Sequence, residues 1–171
     1  MSEAKVELTI TEIRVERFSL ISSKPFVEVV AALDAAIGHP HMGQFGKDVA
    51  NATCWQDLEK VVTAAIGPSG FMEFARFNLG QILEKDEGPP APKILRIVLG
   101  NPLIMKQMTV HVPDAGSYAP VTILIDERAD GVHLSYDLMA SYLAPYGNPA
   151  ALEVARSLDA KVEALLQAAA S

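Results

Sequence analysis

The feature that most constrains the fold of this chain is a pair of alternating apolar segments joined by a tight turn. Residues 121–126 and 132–136 place apolar side chains at every second position, which is the period of a strand with one buried face. The connecting Ala129-Asp130-Gly131 tolerates positive φ and is typical of a hairpin turn. The sequence therefore predicts two antiparallel strands that have one face covered.

Two amphipathic helices are predicted to provide that cover. Asn148 and Pro149 are typical of the first positions of a helix, because asparagine caps the free N–H groups and proline fits the first turn. The apolar face of this terminal helix consists of Ala151, Ala155, Leu158, Val162, Leu165 and Leu166. A similar stripe follows Pro25 and ends before Gly38, which predicts a helix near the start of the chain.

The remaining segments complete the expected order of elements. Strands are predicted at 71–77 and 93–99, and the alternation of Val6, Leu8 and Ile10 predicts half-buried β-structure at the start. Residues 39–50 are predicted to be irregular, and residues 88–92 form a proline-rich breaker loop.

This order predicts an α+β domain with a mostly antiparallel sheet and helices packed on one face. The opposite face of the sheet then meets solvent, a ligand or another copy of the chain.

Charge and composition exclude several classes of function. The chain has 171 residues, which fits a single domain, and its net charge of −7 opposes nucleic-acid binding. A single cysteine, Cys54, cannot form an internal disulfide and indicates a reducing compartment. The first residues carry two acids and no apolar core, and no apolar run approaches the length of a membrane span. We therefore expect a cytoplasmic protein that does not bind a membrane.

Two groups of residues carry the kinds of side chain that bind metals or act in acid–base catalysis. His39, His41 and Met42 offer ligands that suit a metal ion or haem, although such a site normally needs further ligands and exposed loop histidines are the commoner explanation. Asp126 and Asp137 lie at strand ends, where carboxylates serve acid–base chemistry if burial raises a pKa but are more often solvated. Neither pattern predicts a bound cofactor.

Several motifs, in their order and spacing, resemble the family known as domain of unknown function 302. They are Gly100-Asn101-Pro102-Leu103-Ile104, Met108, Tyr118-Ala119-Pro120, Ser135-Tyr136-Asp137, and Ala155 with Leu158-Asp159. The resemblance covers residues 15–167 and leaves 1–14 as an N-terminal extension. It implies an α+β fold with the topology of the TATA-box-binding protein, in the order β-α-β4-α with extra helices. It also implies dimers, but no established activity.

The chain departs from the family pattern at two places. Related proteins often carry Asp-His where this chain has Asn78-Leu79, and often have proline soon after Tyr-Asp, where this chain has Leu138-Met139. Asparagine and leucine cannot titrate or replace an imidazole ligand, which makes an enzyme less expected. The polar residues left as candidates for ligand binding are Arg76, Asn78, Asn101, Tyr136 and Asp137.

The sequence thus favours a domain that binds a small ligand or a protein partner without classical catalysis, as a homodimer. One alternative is an enzyme in which Asp137 acts as acid or base with the help of Tyr136 and Asn101. A third hypothesis is metal or haem binding through His39, His41 and Met42.

Overall fold

A computed structural model describes residues 7–85 and 90–171, so Val6 and the first two residues of the predicted breaker loop (88 and 89) lie outside the described residues. The strands are β1 (Arg17–Ser22), β2 (Met72–Asn78), β3 (Ile94–Gly100), β4 (Val121–Arg128) and β5 (Gly131–Asp137). The helices are α1 (Phe26–Ala36), α2 (Met42–Asn51), α3 (Trp55–Ala65), α4 (Gly80–Leu83), α5 (Pro102–Thr109), α6 (Met139–Leu143) and α7 (Pro149–Ala170).

The strands form one open antiparallel sheet in the order β1-β5-β4-β3-β2. The predicted hairpin is confirmed, with Ile123 of β4 opposite Tyr136 of β5. Gly131 closes the turn at φ 138°, a conformation that side chains with a Cβ rarely adopt. The predicted α+β class is therefore confirmed, and the order of elements is compatible with the β-α-β4-α topology that the resemblance implies.

One face of the sheet is covered by helices and contains the core. Ile97, Ile123 and Leu134 lie on neighbouring strands and are fully buried. The long helix α7 packs against this core, and all six positions of its predicted apolar stripe are buried. Burying aliphatic side chains of this size contributes about 1.5–3 kcal/mol each, so this face supplies most of the stabilisation.

Two predictions about local structure are wrong. Leu8 and Ile10 belong to no strand and are 83% and 88% exposed, because alternation alone gives no pairing partner. The segment predicted to be irregular, residues 39–50, instead contains most of α2 (Met42–Asn51). The ring Nδ1 of His41 caps this helix by accepting a hydrogen bond from the Gln44 N–H at 3.3 Å, and histidine is not a typical capping residue.

A buried carboxylate joins β5, α6 and α7. The Tyr136 hydroxyl donates to Asp159 Oδ1 at 2.7 Å, and the backbone N–H groups of Met139 and Ala140 donate to the same carboxylate at 2.7 and 3.0 Å. Burial raises the pKa of Asp159, while these hydrogen bonds oppose the shift. Asp159 therefore fixes the start of α6 on α7 and against the end of β5.

The helices of the described residues include none long and apolar enough to cross a membrane.

The variant Asp159→Asn should lose about 1–3 kcal/mol of unfolding free energy, because an amide cannot accept from all three donors that now meet the carboxylate. Urea unfolding at neutral pH measures this loss. Asp114→Asn, an exposed position, is the matched control and should change stability little. Equal stability of the two variants would contradict the role given to Asp159.

Candidate functional site

The face of the sheet opposite the helices contains a groove. Its floor is made by alternate residues of β3, β4 and β5, among them Arg96, Thr122 and Ser135, and its volume is about 540 Å³. Neighbouring strands hold these side chains in register, with Leu124 opposite both Arg96 and Ser135. The groove lies on this face because each strand turns its fully buried residues toward the helices and the half-buried or exposed residues between them away.

One end of the groove contains an ion pair. Arg17 of β1 lies opposite Asp137 of β5 and donates two hydrogen bonds to its carboxylate, at 2.5 and 3.0 Å. The Tyr142 hydroxyl also donates to Asp137, at 3.4 Å. The hydrogen bonds from Arg17 hold the pKa of Asp137 below its usual range, so this carboxylate is ionised at neutral pH.

Two tyrosines border the groove. The rings of Tyr118 and Tyr142 stack with centroids 4.6 Å apart and an interplanar angle of 15°. The hydroxyls of Tyr118 and Tyr146 lie 3.2 Å apart. Tyr142 belongs to α6, whose first N–H groups bind Asp159, so the buried carboxylate also positions this border of the groove.

The second cation of the groove is Arg96. It is exposed on β3, and its guanidinium carbon lies 5.9 Å from the centroid of the Phe77 ring. Within residues 7–85 and 90–171 it forms no salt bridge. Among the described residues, the charged side chains of the groove are two arginines and one carboxylate, which gives a local excess of one positive charge.

The structure places Tyr136 and Asn101 away from the carboxylate of Asp137. The Tyr136 hydroxyl points to Asp159 on the helical side, and burial raises the pKa of this tyrosine. Asn101 caps α5 and donates to the Gly70 carbonyl at 2.9 Å, beside a separate apolar cavity of about 120 Å³. The three residues named for acid–base chemistry thus do not surround one reacting position, and the pKa of Asp137 is lowered rather than raised.

Arg76 and Asn78 lie on the edge strand β2, three strands away from Asp137 in the sheet. Arg76 donates hydrogen bonds to Asp34 of α1 and to Glu73, and the Glu73 interaction is the main cause of its raised pKa. Asn78 Oδ1 accepts from the Gln81 N–H and supports α4. Both side chains therefore hold local structure at this edge.

The predicted histidine cluster is divided. His39 lies beside Asp34 and Glu73, where the three side chains bring possible ligand atoms within 4.8 Å of one another. Arg76 hydrogen-bonds to both carboxylates of this group and supplies the positive charge that a cation would bring. His41 and Met42 instead begin α2.

Sequence reasoning did not select Arg17, Arg96, Tyr118 or Tyr142 as site residues. Arg96 had a detectable signal, because it is a charged residue inside an otherwise apolar strand at a position that alternates with buried Leu95 and Ile97. Arg17 and Tyr142 had no such signal, since they join the groove only through the pairing of β1 with β5 and the docking of α6.

The fold and the groove define a class of α+β domain in which an antiparallel sheet has one face covered by helices and one face open. This chain belongs to the family described as domain of unknown function DUF302, whose sequence model matches residues 47–169. The resemblance found in the sequence is thereby confirmed.

A solved structure with a similar fold is the crystal structure of an uncharacterized conserved DUF302 protein from Bacillus stearothermophilus. It is 11% identical to this chain, covers 90% of this chain and 97% of its own length, and superposes with a TM-score of 0.63. No curated protein matches this chain in sequence. The comparison therefore supports the fold and carries no activity with it.

The ion pair of Asp137 should give a specific pH dependence. Because its folded pKa is lowered, its contribution to stability is present above the unfolded value of about 3.9 and is lost as the pH falls through the lower folded value. Asp137→Asn should therefore be less stable than the natural chain at pH 6, by about 0.2–1 kcal/mol for such an exposed pair, and this difference should fade in strong acid.

Urea unfolding at several pH values measures the effect, and a double-mutant cycle with Arg17→Gln isolates the pair. A stability difference that does not change with pH would rule out this ion pair.

Proposed function

We propose that this protein binds a small molecule in the groove on the open face of the sheet and acts without classical catalysis. The observation that carries this proposal is a cavity of about 540 Å³ whose walls combine stacked aromatic rings with polar side chains. Ligand sites typically occupy about 300–1,000 Å³ and join apolar walls to a few polar groups.

The rigidity of the surrounding structure supports binding. The strands that form the floor are paired on both sides, apart from their ends, and Asp159 fixes the helix that carries Tyr142. A site that is already formed loses little conformational entropy when a ligand binds.

The exposed thiol of Cys54 suits the reducing cytoplasm, and a cytoplasmic location stays a prediction.

The ligand site is tested by filling the groove. Titration of ¹⁵N-labelled protein with a set of small fragments should give saturable shifts of the amide signals of Tyr118, Thr122 and Ser135. Ser135→Trp places a bulky ring on the floor of the groove and should abolish these shifts. Thr63→Trp adds the same ring to an exposed position of α3 and should leave them unchanged. If Ser135→Trp binds the fragments as the natural chain does, the groove is not the site.

A second proposal is a homodimer formed through β1, and a difference between the two edge strands supports it. On β2, Gly38 forms a bridge to Met72 and a bulge interrupts the pairing between Glu73 and Ala75. Such features protect an edge from pairing with another chain. Neither feature occurs on β1 in the described residues, and Ile21 of this strand is 55% exposed.

Native mass spectrometry should therefore detect a dimer of the natural chain. Ile21→Lys should shift it to monomer, because a charge on an edge strand opposes pairing between chains. Phe77→Lys is the matched change on β2, where the aromatic ring is 48% exposed, and should leave the dimer intact. A natural chain that remains monomeric at micromolar concentration would contradict the proposal.

A further inference from the structure

The charges and hydrogen-bond donors of the groove are not balanced. Arg17 and Asp137 neutralise each other, whereas Arg96 has no carboxylate partner in residues 7–85 and 90–171. A guanidinium presents several N–H donors in a fixed planar arrangement that matches two oxygens of a carboxylate or phosphate. Arg96 is thus the side chain of the groove that has both charge and donors available for a ligand.

Two hydroxyl groups add to this donor set. The side-chain hydroxyls of Thr122 and Ser135 line the groove, and neither hydroxyl forms a hydrogen bond within residues 7–85 and 90–171. Neither hydroxyl is a buried atom without a partner, so both face open space. Ser135 lies in the same row across the sheet as Arg96, with Leu124 between them. At about 4.8 Å between strands, this row places the two groups about 10 Å apart at the backbone.

We infer that the ligand of the groove is a small organic anion whose carboxylate or phosphate oxygens are bound by Arg96. This inference rests on the proposed binding function and names its ligand class. The guanidinium of Arg96, which has no carboxylate partner in the part of the chain that the structure describes, and the excess positive charge of the groove favour an anion over a neutral or cationic ligand. The sign of the charge in the groove is thus opposite to that of the whole chain, whose net charge is −7. The stacked rings of Tyr118 and Tyr142 provide an apolar wall for the uncharged part of the ligand.

Four aromatic probes of similar shape but different charge distinguish the effect of charge on affinity from the effect of shape. They are benzoate, phenyl phosphate, benzamide and benzylamine. Each is titrated into the ¹⁵N-labelled natural chain, and affinity is read from the amide signals of Thr122 and Ser135. At least one anion should bind about tenfold or more tightly than benzamide, because hydrogen bonds to charged groups are the stronger ones. Benzylamine should bind most weakly. The tighter of the two anions identifies the oxyanion that the groove prefers.

The variant Arg96→Gln tests the assigned residue. It should reduce the affinity for the anions by about tenfold or more and leave that for benzamide unchanged. Arg156→Gln removes the same charge from an exposed position on α7 and should leave all four affinities unchanged. Loss of anion affinity in both variants would assign the effect to net charge and overturn the role of Arg96.

The outcomes also separate this inference from the proposed function. Equal affinity for benzoate, phenyl phosphate and benzamide overturns the anion preference and leaves ligand binding in the groove intact. Failure of all four probes, together with failure of the fragment set, overturns both. Anion binding that shifts signals only outside the groove overturns the assignment to this face.

Discussion

The buried carboxylate of Asp159 is the interaction on which the arrangement of the open face depends. It accepts hydrogen bonds from Tyr136 at the end of β5 and from the first N–H groups of α6. An ionised group in this position is stable only if its lone pairs are satisfied, which requires all three elements to meet at one point. The carboxylate thereby fixes the hydroxyl of Tyr136, which the alternation of β5 turns toward the helices, and the position of α6.

The geometry of the groove follows from that anchor. Because Tyr136 turns toward the helices, its neighbour Asp137 must turn toward the open face, where it meets Arg17 of β1. Because the first N–H groups of α6 bind Asp159, Tyr142 lies close enough to donate to Asp137 and to stack on Tyr118. The interactions of the helical face thus position side chains on the other face of the same sheet.

Different parts of the molecule differ in how far the sequence predicts them. The β4–β5 hairpin and α7 are predicted by local patterns, since the period of apolar residues and a capping asparagine are readable without knowledge of the fold. The candidate site is less predictable, because it depends on pairing between β1 and β5, which are more than one hundred residues apart in the chain. Asp137 is indicated both by its place at a strand end and by the resemblance, but Arg17 can be identified only from the strand register.

The pKa shifts of Asp137 and Asp159 support the proposed binding role of the open face over a role in proton transfer. A general acid or base at neutral pH needs a carboxyl group whose pKa is raised, with its reactive oxygen accessible to a substrate. The carboxyl of Asp137 is accessible, but Arg17 lowers its pKa. The pKa of Asp159 is raised by burial, but its oxygens are occupied by Tyr136 and two backbone N–H groups on the helical side. Of these two carboxyl groups, the accessible one has a lowered pKa and the one with a raised pKa is buried on the other side of the sheet. Neither combines the two properties that a general acid or base needs, which supports the proposal that the groove binds a ligand without classical catalysis.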